Sequence, residues 1–62
     1  MIDQGELTKI YIDLTRVIVE IDLAAELEED DHVLKDQLAH AVAHLKAARR
    51  WIIEIRKDKG WI

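Results

Sequence analysis

The sequence predicts an all-α fold: a helical hairpin that self-associates into a four-helix bundle. Three observations carry that expectation. Two stretches hold apolar residues at alternating three- and four-residue spacing, the period of one helix face. Four consecutive acids, Glu28-Glu29-Asp30-Asp31, interrupt both stretches. Pro, Ser and Asn are absent, and the loss of these breaker and turn residues favours long helices over loops or strands.

The first helix is expected over about residues 4–28, the turn over about 29–31 and the second helix over about 32–58, all within one domain. The first seam runs Leu7, Ile10, Leu14, Val17, Ile21 and Ala24, flanked by Tyr11, Ile18 and Ala25. Ile12, Val19 and Leu23 add a further stripe, which leaves one polar ribbon at Glu6, Lys9, Asp13, Arg16 and Glu20. A helix this apolar around its circumference belongs in the middle of an assembly.

The second seam runs Leu34, Leu38, Ala41, Leu45, Ala48, Ile52 and Ile55. Continuing the first seam through the acids would put Glu28, Asp31 and Lys35 at buried positions, so the phase breaks there. That break favours a hairpin over the alternative, one long coiled-coil helix. Asp30 or Asp31 suits the N-cap of the second helix, and Gly60 suits its terminator, with Lys57 and Lys59 near the negative end of the dipole. Ala39, Ala43 and Ala47 recur every four residues beside the second seam and would permit close backbone approach.

Sixty-two residues without cysteine exclude a disulfide staple. A single core this small rarely supplies more than about 3–5 kcal/mol. Oligomerisation is the remedy left, through Leu7, Ile10, Leu14, Val17, Ile21, Ile12 and Val19 of the first helix and Leu38, Ala41, Leu45, Ala48, Ile52 and Ile55 of the second. A homodimer is the first expectation and a tetramer the second, with an unidentified protein partner as a further option. The joint absence of Ser, Asn, Pro, Cys and Phe is unusual for a natural chain and fits a designed one as well.

No apolar run reaches the roughly 18 residues that a membrane span needs. No basic start precedes an apolar block, as a secretory signal would require. A cytoplasmic location is the resulting expectation. The formal net charge of −4 argues against general nucleic-acid binding, which is driven by phosphate neutralisation. Charge is unevenly spread, however. Residues 1–45 hold eleven acids against Lys9, Arg16 and Lys35, whereas residues 46–62 hold six bases against Glu54 and Asp58.

Catalysis is not expected. Ser and Cys are absent, hydroxyls are confined to Thr8, Thr15 and Tyr11, and the only glycines, Gly5 and Gly60, make no phosphate loop. Tyr11 reads as a tyrosine flanking the core seam that hydrogen-bonds outward, and Thr8 and Thr15 read as a helix–helix contact. The function expected is a non-catalytic structural or regulatory interaction module.

Two alternatives come from other classes. His40 and His44 are one helical turn apart, and His32 and Asp36 extend the same ladder. Such a set offers nitrogen and oxygen ligands for Zn or another divalent transition metal. An HxxxH pair alone is a weak signal, and a four-residue ladder drifts by about 40° per step. Solvated or interface histidines are the stronger reading. Glu29-x-x-His32 has the spacing of di-iron bundles but falls in the expected turn, with no inward Glu opposite it. Lastly, Arg49, Arg50 and Arg56, with Trp51 and Trp61, could meet an anionic partner. The competing reading is internal: this basic end meets the acidic turn of a neighbouring copy, with the tryptophans capping the bundle end.

Overall fold

The computed structural model describes residues 1–61. Two helices, α1 (Gln4–Leu27) and α2 (His32–Lys59), pack against each other as an antiparallel hairpin measuring 46 × 18 × 15 Å. The long-helix alternative is thereby set aside.

Each helix end has an identifiable cap. Asp3 opens α1, its Oδ1 accepting from the Glu6 amide at 2.8 Å. Asp31 opens α2, its Oδ1 accepting from the Leu34 amide at 2.9 Å. Side-chain acceptors of this kind satisfy first-turn amides that have no intrahelical partner. At the far end Gly60 adopts φ 74, and the Trp61 amide donates to the Arg56 carbonyl at 2.8 Å. Glycine suits that left-handed position because it has no Cβ.

The turn contains neither Gly nor Pro, so the chain must reverse by other means. Glu28 leaves the helix in an extended conformation while its amide still donates to the Ala24 carbonyl. Its Oε1 then accepts from the amides of both Asp30, at 3.0 Å, and Asp31, at 2.9 Å. One carboxylate oxygen thus holds two amides that a tight turn would otherwise leave to solvent.

The seam between the helices is rotated from the one expected. Its centre runs through Leu7, Tyr11, Leu14, Ile18, Ile21 and Ala25 on α1, all buried or half-buried. On α2 it runs through Leu38, Val42, Leu45, Arg49, Ile52 and Arg56. Leu7 and Ile18 at 3% exposure and Val42 at 6% are the buried apolar side chains among the described residues. Ile10, Val17 and Ala24, expected at the centre, lie on its shoulder, as do Leu34, Ala48 and Ile55. The rotation is about 50° on each helix, half of the 100° step between residues. It brings in the former flank of α1 and Val42, which the sequence reading missed.

The physical reason is that a two-helix contact is narrow. It can cover one stripe per helix, and α1 offers several of similar hydrophobicity. Choosing the stripe that includes Tyr11, with Thr15 at its edge, lets Arg49 of α2 find a partner. Its Nη1 donates to Thr15 Oγ1 at 3.2 Å, and the guanidinium lies 5.9 Å from the Tyr11 ring centroid.

Candidate functional site: an open apolar side

The shoulder residues form an apolar stripe outside the seam. On α1, Ile10, Val17 and Ala24 each immediately precede a seam residue: Tyr11, Ile18 and Ala25. On α2, Ala41, Ala48 and Ile55 stand in the same relation to Val42, Arg49 and Arg56, with Leu34 one heptad earlier. Two antiparallel helices are related by a local two-fold axis normal to the plane that contains them. That axis exchanges the helices and leaves each face where it was, so equivalent shoulder positions of α1 and α2 lie on the same side. All seven residues therefore share one face of the hairpin.

Exposure agrees with that placement. Ile10 at 37% and Val17, Leu34 and Ile55 at 40% are partly covered, as residues bordering a seam should be. Ile12, Val19 and Leu23 at 52–53% stand farther out, on the other flank of α1. The helical register sets the level of each pair. Gln4 Nε2 donates to the Trp61 carbonyl at 3.4 Å, and Arg49 reaches Thr15. Ile10 is then level with Ile55, Val17 with Ala48 and Ala24 with Ala41.

The opposite side of the hairpin has a different character. Thr8 and Asp22 on α1 and Lys46 on α2 occupy its shoulders with Thr15, Ala39 and Ile53. Thr8 Oγ1 donates to its own helix at the Gln4 carbonyl, 3.0 Å away, and Thr15 Oγ1 to the Tyr11 carbonyl, also 3.0 Å away. One side is mostly polar and the other is apolar.

The histidines lie outside the seam, with His44 bordering the open side next to Ala41 and Ala48. His40 and His44 lie one turn apart on the exposed surface of α2, with His32 and Asp36 nearer the turn. His40 Nδ1 sits 2.9 Å from the Asp36 carbonyl and 3.8 Å from its carboxylate. Among the described residues no three His, Cys, Asp or Glu side chains are grouped to hold a metal ion.

The basic end is divided rather than gathered. Arg49 and Arg56 lie half-buried along the seam, where Arg56 Nε is buried with no hydrogen-bond partner, whereas Arg50 is exposed. Trp61 is half-buried beside Gln4 at the open end of the hairpin. Trp51, expected to cap the bundle end, instead stands 70% exposed more than two turns before the end of α2. The ion pairs among the described residues, Asp13–Arg16, Asp36–His40 and Glu54–Lys57, are exposed and lie within single helices. Pairs of that kind contribute about 0–1 kcal/mol each.

An open groove of about 500 Å³ near the turn is lined by Val19, Asp22, Leu23, Ala25, Glu26 and Lys35. Among the described residues no helix is long and apolar enough to cross a membrane. No protein-family model matches this chain, and no curated protein or solved structure matches it either.

Proposed function

We propose that this chain is a non-catalytic self-association module whose hairpins pair through the open apolar side to make a four-helix bundle. The observation that carries the reading is the alignment of Ile10, Val17 and Ala24 with Leu34, Ala41, Ala48 and Ile55 on one face. A lone hairpin buries too little to hold it firmly folded: among the described residues Leu7, Ile18 and Val42 are the buried apolar ones, and twelve large apolar side chains stay exposed. Chains of this size usually need a staple or a partner. A second copy laid on the open side gives four helices around one core, the standard way to bury such stripes.

The Ile12, Val19 and Leu23 stripe faces away from this contact. It remains available to a further pair of chains, which would make a tetramer, or to a different protein. Its exposed length is what favours assembly beyond a dimer.

Sedimentation equilibrium tests the core of the proposal. The unmodified chain should be dimeric or larger at micromolar concentration. Val17→Glu should be monomeric or unfolded, because an unpaired carboxylate forced into an apolar contact costs several kcal/mol. A folded monomer of the unmodified chain at that concentration would overturn the reading.

A further inference from the structure

Resting on the self-association reading, we infer that the second copy docks on the open side antiparallel, with each hairpin's turn beside the other's open end. The size gradient along the open face points there. Isoleucines, Ile10 and Ile55, occupy the level nearest the chain ends, Val17 and Ala48 the middle, and Ala24 and Ala41 the level toward the turn. From the Ile10 level to the Ala24 level the face therefore falls from bulky to shallow, and Leu34 rises again beside the turn.

Consider the two ways of placing a two-fold axis in the plane of that face. An axis along the helices puts both turns at the same end and lays α1 over the partner's α2. Ile10 then meets Ile55 at one level while Ala24 meets Ala41 two heptads away, which makes a wedge over these three levels, overfilled at the first and hollow at the last. An axis perpendicular to the helices at the level of Val17 and Ala48 reverses one hairpin. Each α1 then lies on the partner's α1 and each α2 on the partner's α2. Ile10 of each copy faces Ala24 of the other, Ile55 faces Ala41, and the Val17 and Ala48 layers meet themselves. Each of these three levels then pairs large with small or moderate with its equal, as native packing density requires.

Charge selects the same arrangement independently. The acids Glu28–Asp31 lie at the turn, whereas Arg56, Lys57 and Lys59 lie near the other end and outnumber Asp58 there. Reversing one hairpin brings these groups together, whereas the same-end arrangement crowds all eight turn acids of a dimer at one end. Surface pairs of this sort choose an orientation more than they hold a dimer.

Cross-linking reads the orientation directly, because the chain contains no cysteine of its own. An equimolar mixture of Glu29→Cys and Lys59→Cys chains, mildly oxidised, should give mixed disulfide dimers, and Glu29→Cys alone should give few. Abundant Glu29→Cys self-linkage in a chain that sediments as a dimer would overturn the orientation and leave self-association standing. A monomer by sedimentation would overturn both. Packing supplies a second arm. Ala24→Ile should weaken dimerisation at least about tenfold by overfilling the Ile10 layer, and adding Ile10→Ala should recover most of the loss. Tighter dimerisation by Ala24→Ile alone would instead show that the same-end wedge is real and would overturn the proposal. Ala24 and Ile10 lie outside the seam of the single hairpin, so these variants spare its own core.

Discussion

Arg49 reaches across the seam to Thr15, its Nη1 donating to the threonine Oγ1 at 3.2 Å over a separation of 34 residues. It is the side-chain hydrogen bond that joins the middles of the two helices among the described residues. The same guanidinium lies over Tyr11, so one side chain fixes the register through two contacts. Arg49→Ala should lower stability by about 1–2 kcal/mol, from a part-buried charged hydrogen bond and a cation–π contact. Thr15→Val keeps the shape and removes only the acceptor, so it should cost less than Arg49→Ala. Urea unfolding at fixed chain concentration measures both, and equal costs would show that Thr15 alone accounts for the contact.

Glu28 is expected to be the most sensitive of the four turn acids. Glu28→Ala frees the Asp30 and Asp31 amides and should destabilise the hairpin by about 1–2 kcal/mol. Glu28→Gln retains a side-chain carbonyl that can accept from both and should lose much less. Thermal melts of the two variants at one concentration separate acceptor geometry from charge. Equal losses would mean that the negative charge, not the paired amides, makes the turn.

Gly60 ends α2 at φ 74, with open space where a Cβ would be. The cost of Gly60→Ala is therefore purely conformational, about 1 kcal/mol. Its effect should concentrate in the last turn, where hydrogen exchange of the Trp61 amide should quicken. Gly60→Asn, a residue that tolerates the left-handed region, should be milder. A larger loss for Asn than for Ala would show that the position demands something other than backbone freedom.

The two apolar flanks of α1 should behave differently. Val17→Glu lies on the face assigned to pairing and should abolish the dimer. Val19→Glu lies on the outer stripe and should leave the dimer while removing any larger species. Light scattering across a concentration series distinguishes these outcomes. Loss of the dimer in Val19→Glu would move the pairing surface to the Ile12, Val19 and Leu23 stripe.

Much of the architecture was legible in the residue order because its causes are local. The three- and four-residue recurrence from Leu7 onward makes a helix whatever it packs on. Asp31 and Gly60 declare helix ends through the chemistry of unpaired amides and of positive φ. The acids at 28–31 declare a break because a charged seam cannot be buried. A turn at those residues was readable in that way. The means by which it closes, one oxygen of Glu28 holding two amides, was not, because it depends on where the backbone goes after Leu27.

What only the tertiary structure decided is which stripe faces which. Around α1, residues near Leu14 and near Val17 are almost equally apolar, so periodicity leaves the helix free to rotate by half a residue step. The contact with α2 removes that freedom: Arg49 needs Thr15 and Tyr11 across from it, and Val42 is buried in the seam. Once that choice is made, Ile10 and Val17 pass from the centre of the seam to its edge, joined there by Leu34, Ala48 and Ile55. Residue order determined that there would be more apolar surface than two helices can cover. The angle at which the helices meet determined where the excess lies, because helical phase is a property of the pair and not of either strand of sequence alone.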